Sequence, residues 1–237
     1  MKYYNICIAV ICLIFCGSLF GSLSEASLEE INSYQLLEDH PLWRPLEKIF
    51  SKGDVLEDGK TFAKAGFITL HHQPSGMRVA RHPLLPEYLV KVYLNDAPPK
   101  EEFKWAINRC KGVDNIRNLI TEHKLRHLVV PEKKIYYPPY SNPILVVEDM
   151  RIVSYKESKI AWKNASKREV QELYILLKSG FGSCFLAGNI PYTQFGKFAC
   201  IDTAFPYRKH EYTSAKKYLS EKGKRYFNQI EKRDIKK

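Results

Sequence analysis

The stretch GNIPYTQFGKFACID, residues 188–202, carries an amide, Asn189, and a carboxylate, Asp202, at the two ends of what reads as a strand, a Gly196 turn and a second strand. Upstream, Lys91 lies in the middle of EYLVKVYL, a run rich in β-branched and aromatic residues that predicts a strand over 87–94. An amide and a carboxylate offer oxygens, and a lysine offers a point charge. Whether they form one site depends on the elements that carry them. Taken singly, each has an ordinary reading: a strand lysine snorkels or guards an edge, an asparagine before Ile-Pro turns the chain, and an aspartate caps the next segment. Cys184, in GSCFLAGN, has no histidine or aspartate placed around it by the sequence and reads as structural rather than nucleophilic. His71 and His72 are neighbours, so on a strand they point to opposite faces and cannot both reach one metal.

The elements follow from periodicity and punctuation. GFITLHH and MRVARH, parted by QPSG, predict a hairpin, and EYLVKVYL predicts a third strand beside it. After the Pro98-Pro99 break, KEEFKWAINRC and VDNIRNLITEHKL predict two helices parted by Gly112. HLVVPEKKIYY and PILVVEDM predict two more strands. KESKIAWKN and SKREVQELYILLKSG return to helical spacing, the latter opened by Ser166 and stopped at Gly180. Before this series, residues 27–63 read as an N-terminal helical extension, with Ser27 and Glu30 at capping-box spacing. After it, Ala215, Tyr218, Leu219, Tyr226, Phe227 and Ile230 recur at helical spacing among lysines and predict one basic amphipathic helix over about 213–232, continuous through Gly223.

The first 26 residues read as a signal peptide: Lys2, the apolar run ICIAVICLIFC, then small residues down to Ser24-Glu25-Ala26. That run is shorter than the roughly 20 apolar residues a spanning helix needs. The expectation is a secreted or periplasmic protein, with a membrane anchor formed by an uncleaved N-terminal segment as the alternative. Cleavage leaves Cys110, Cys184 and Cys200, an odd number that cannot close a disulfide framework, although export permits one bridge, Cys184 to Cys200. The formal charge of +11 is concentrated at the end: from Tyr207 onward, eleven Lys/Arg stand against four acids. Such a tail suits an anionic surface or an acidic protein, and equally a solvated helix face. The aromatics are spread through the strands as core residues rather than as base-stacking platforms, so there is no specific nucleic-acid signal, and nothing in the sequence sets an oligomeric state.

The order of three strands, a helix, two strands and further helices, with Lys91 in the third strand, resembles the small lobe and the first part of the large lobe of the protein-kinase-like fold. The resemblance covers about residues 64–206 and implies an α+β fold: a kinase-like small lobe of antiparallel sheet plus helix, with a shortened, mainly helical large lobe, all within a domain spanning 64–237. It implies that Lys91 binds nucleotide phosphate and that Asn189 and Asp202 are metal positions, with ATP and Mg²⁺ as the cofactors. The step of thirteen residues from Asn189 to Asp202 is about that of the kinase hairpin. PILVVEDM resembles the hinge strand that receives adenine. Phosphates need their charge neutralised, which an ammonium and oxygen-bound Mg²⁺ achieve. Asp114, on the second helical pattern, is carried as the candidate partner of Lys91.

Three departures accompany the resemblance. The position of the catalytic aspartate, five residues before Asn189, holds Cys184; QPSG replaces a glycine-rich loop; and Thr203-Ala204 follow Asp202 where Phe-Gly is expected. Three functions stay open on these grounds. The first is an exported, non-catalytic nucleotide-binding or regulatory module. The second is an exported basic binding protein without a nucleotide, acting through its C-terminal helix. The third is an active atypical kinase with a base recruited from elsewhere.

Overall fold

Alternating strands and amphipathic helices build a mixed α and β protein with a five-stranded antiparallel sheet. The computed structural model describes residues 32–73, 76–95, 102–139, 141–182, 186–204 and 212–235. The expected signal peptide and Cys184 lie outside the described residues. Among those described, no helix is long and apolar enough to cross a membrane.

Strands β1 (Ile68–His72), β2 (Arg78–Arg81) and β3 (Tyr88–Val92) form a meander, and β6 (Ile144–Glu148) and β5 (Lys133–Tyr136) complete the sheet in the order β1-β2-β3-β6-β5. The register sets Lys91 between Val79 of β2 and Leu145 of β6. Its neighbours Val90 and Val92 are buried in the core on the opposite face, as strand alternation requires. That core is closed by α1 (Trp43–Phe50) and α2 (Gly59–Lys64) through Leu46, Phe50 and Phe62. Asp58 opens α2 with a reciprocal capping box to Thr61. The segment expected as an N-terminal extension therefore shares the sheet's core, and Tyr34–Lys237 is one compact unit.

Between β3 and β5 runs α3 (Glu102–Glu122), a single helix where the sequence predicts two. Gly112 does not interrupt it. The glycine is required by a neighbour: a Cβ there would lie 1.8 Å from the carbonyl oxygen of Thr203. HLVVPEKKIYY, predicted as one strand, splits at Pro131 into β4 (Leu128–Val129) and β5, because only β5 joins the large sheet while β4 pairs in parallel with β7 (Phe198–Ala199).

A second core gathers around α4 (Tyr155–Asn164) and α5 (Lys167–Lys178), both opened by serine–glutamate capping boxes, Ser154 with Glu157 and Ser166 with Glu169. Trp162, Leu173, Leu177, Leu186 and Phe198 fill it, with Ile116 entering from α3. The basic C-terminal segment also belongs to it, through Ala215 and Phe227. It forms two helices, α7 (Tyr212–Tyr218) and α8 (Glu221–Ile235), rather than one. The break falls at Ser220, whose hydroxyl accepts the N–H of Gly223 and so caps α8.

Candidate functional site

Asn189 ends the short helix α6 (Leu186–Asn189) instead of heading a strand. The indole N–H of Trp162 donates to the Ile190 carbonyl at 3.0 Å, and Ser158 Oγ accepts the N–H of Tyr192. These bonds fix where the following hairpin begins. The hairpin closes through Tyr192–Phe198 bridging and turns at Gly196, which has φ +78°. The returning strand β7 runs alongside β4, with Phe198 N–H donating to the His127 carbonyl and Cys200 N–H to that of Val129. The chain then comes back to its start: the Asn189 carbonyl accepts the N–H groups of Ile201 (3.0 Å) and Asp202 (3.4 Å). Asn189 and Asp202 are thus backbone neighbours.

β4 itself is anchored by Glu172 of α5. Its carboxylate, 4% exposed as a residue, accepts the His127 N–H at 2.7 Å and meets His127 Nδ1 at 2.9 Å, with Arg168 Nε at 3.5 Å. Burial alone would raise the Glu172 pKa, but the hydrogen bonds from the His127 ring and from the backbone of His127 and Arg126 outweigh it, and the pKa ends below the ordinary value.

Lys91 reaches the same place from the sheet. Its Nζ donates to the Ile201 carbonyl at 3.4 Å, one residue before Asp202. Lys133, at the start of β5 and 4% exposed, donates to that carbonyl at 3.0 Å and to Thr203 Oγ1 at 2.5 Å. Thr203 Oγ1 in turn donates to the Arg109 carbonyl of α3 at 2.6 Å. A polar chain therefore staples strand β3, strand β5, helix α3 and the segment around Asp202.

Asp114 does not join it. Its carboxylate accepts the Tyr34 hydroxyl at 2.8 Å, and the residue that α3 sends toward Lys91 is Arg109, a cation. Arg109 lies over the Trp105 ring, 4.7 Å from its centroid. Lys91, Arg109 and Lys133 each feel the charge of Asp202. Burial pulls the Lys91 pKa down to about 8, with repulsion from Arg109 adding to it and Asp202 opposing. Burial likewise takes Lys133 well below its ordinary value, reinforced by Lys91.

The thiols are inert partners of this cluster. Cys110 and Cys200 are free and buried, and burial pushes both up to about 12. The Cys200 thiol contacts the Asp202 carbonyl at 3.7 Å; the bridge to Cys184 that export would permit involves a residue outside the described ones. The end of β6 is engaged as well: the Asp149 N–H donates to the Glu87 carbonyl, and the Asp149 carboxylate takes Arg81 at 2.8 Å and the Arg151 N–H at 2.9 Å.

Sequence reasoning singled out Lys91, Asn189 and Asp202 but missed Arg109, Lys133 and Thr203. Neither a protein-family model nor a curated protein matches the chain. The arrangement is suited to holding an anion: ammonium and guanidinium donors converge beside one carboxylate. It suits Mg²⁺ poorly, since Asp202, the one carboxylate that acts on all three cations among the described residues, is shared between them.

Proposed function

We propose that this is an exported, kinase-like module that binds the phosphates of a nucleotide such as ATP beside Lys91, where β3 meets the Asp202 segment, and does not perform standard phosphoryl transfer. The observation that carries the reading is the Lys91 contact to Ile201, which joins residues 110 positions apart at the place where the resemblance puts phosphate. The order of the elements supports it: three antiparallel strands, a helix, then two strands completing one sheet. Cys184 at the position of the catalytic aspartate is the reason for leaving out transfer, because a thiol cannot simply replace a carboxylate that orients and deprotonates a hydroxyl.

Thermal unfolding with and without ATP tests this. A ligand that binds only the folded chain adds about 2.7 kcal/mol at a hundredfold its Kd, which in a domain of this size is roughly 5–10 °C. Lys91→Met should abolish the shift. A folded protein that shows no shift at saturating nucleotide leaves the site without its ligand.

A second reading has its own support. Lys156, Lys159 and Lys163 of α4 and Lys217 of α7 line a groove with Tyr155 and Tyr218, a basic surface for an acidic protein or anionic membrane reached through the C-terminal helices. Deleting those helices is no test, because Phe227 is core. The Lys159→Glu/Lys217→Glu double variant should instead remove salt-sensitive binding to anionic vesicles while leaving the fold intact.

A further inference from the structure

We propose that the cluster of Lys91, Arg109 and Lys133 takes a polyphosphate without a divalent cation, because these side chains already supply the positive charge that a bound metal would bring. The inference rests on the nucleotide-phosphate reading and concerns what neutralises the ligand.

The charge balance motivates it. Lys91 of β3 and Lys133 of β5 meet at the Ile201 carbonyl, and these two and Arg109 of α3 all feel the charge of one carboxylate, Asp202. None of the three forms an ion pair with a carboxylate among the described residues. The oxygens that Lys91 and Lys133 do engage are neutral: the Ile201 carbonyl, shared by both, and the Thr203 hydroxyl. Three cations that share one carboxylate and otherwise meet neutral oxygens are costly to enclose, and the cost is lifted most directly by a further anion. The acid that could have balanced Lys91 from α3 is held elsewhere, Asp114 on Tyr34, and Arg109 adds charge of the same sign instead. A divalent cation would enter a site already rich in positive charge, whereas a triphosphate would find ammonium and guanidinium donors in place.

Protonation offers a separate readout. The groups facing Lys91 are Arg109, Lys133, Asp202 and the Cys200 thiol, and burial together with these charges leaves its pKa at about 8. A polyphosphate raises the pKa of the lysines it neutralises, so binding at and above that pH takes up protons.

The test is calorimetric titration of the protein with ATP, with inorganic tripolyphosphate and with adenosine, each in EDTA and in excess Mg²⁺, and in two buffers of different ionisation heat. Expected are binding of ATP and of tripolyphosphate in EDTA at least as tight as in Mg²⁺, no binding of adenosine, and net proton uptake above pH 8. Arg109→Gln, which leaves the hydrogen bond to its backbone carbonyl in place, should weaken binding in EDTA on the order of tenfold. Binding that requires Mg²⁺ overturns the metal-free inference and leaves the nucleotide site standing. Binding in EDTA that Arg109→Gln leaves unchanged also overturns it. Absence of binding in both buffers removes the nucleotide-phosphate reading together with the inference.

Discussion

Replacing Gly112 with alanine sets two physical effects against each other. Helix α3 runs straight through this position, and Gly→Ala in a helix interior ordinarily stabilises by about 1 kcal/mol. Here the added Cβ would stand 1.8 Å from the Thr203 carbonyl oxygen and 2.8 Å from its carbon, both backbone atoms that cannot rotate away. Relief requires the segment after Asp202 to move off the helix by more than an ångström or so. That motion breaks the Thr203 bond to the Arg109 carbonyl and the Lys133 bond to Thr203, and it leaves an enclosed ammonium with one partner fewer. Overpacking costs typically about 1–3 kcal/mol, and stranding a charged donor about 1.5–3 more. Against the propensity gain, the net is a loss of roughly 1.5–5 kcal/mol, a fall in Tm of about 3–20 °C. Urea unfolding at constant m-value and a thermal scan measure it. A Gly112→Ala protein as stable as the parent, or more so, refutes the close approach of Thr203 to α3 and with it the pinned position of Asp202.

Other outcomes follow from the same geometry. Glu172→Gln should cost about 2–4 kcal/mol in urea unfolding, because the His127 N–H and ring lose a buried carboxylate. The Glu172 pKa is lowered in the folded state, so its stabilisation is present above the unfolded carboxylate pKa and fades as pH falls through the folded one; the glutamine variant should lack that acid-side loss. Lys91 works in the opposite direction: with its pKa near 8 folded and near 10.5 unfolded, the unfolded chain binds more protons between those values. Stability should therefore rise from pH 8 to 10.5 by on the order of 2–3 kcal/mol, and Lys91→Met should flatten the rise. Cys110 and Cys200 should react with a thiol reagent only at the rate of unfolding, and rapid labelling of either in native buffer would contradict their burial.

Periodicity revealed most elements because burial enforces it. β1, β2, β3 and β6 fall inside the runs that read as strands, and Ser154 and Ser166 cap helices whose apolar stripes are visible in the chain. Gly112 misled because helix propensity is local while its reason, the Thr203 carbonyl, is 91 positions away. The continuous stripe Ala106, Cys110, Val113, Ile116 across the glycine was the available signal. Ser220 was hidden for the opposite reason: the apolar spacing continues across the break between α7 and α8, and only its capping bond marks the second start. In the site, Lys91 stood out by its place in an apolar strand. Lys133 did not, since PEKKIYY reads as a polar strand entrance, and its burial is created by Ile201 and Thr203 arriving from far along the chain. Arg109 carries no local signal on its helix, because the charge it feels comes from Asp202, far along the chain.

The most direct measurement is a crystal structure of the protein grown with ATP and EDTA. The account predicts a triphosphate with phosphate oxygens about 3 Å from Lys91 Nζ and within reach of the Arg109 guanidinium, beside Asp202. A triphosphate lodged instead in the groove of Lys156, Lys159 and Lys217, or a Lys91 that keeps only the Ile201 carbonyl at saturating ATP, would contradict it.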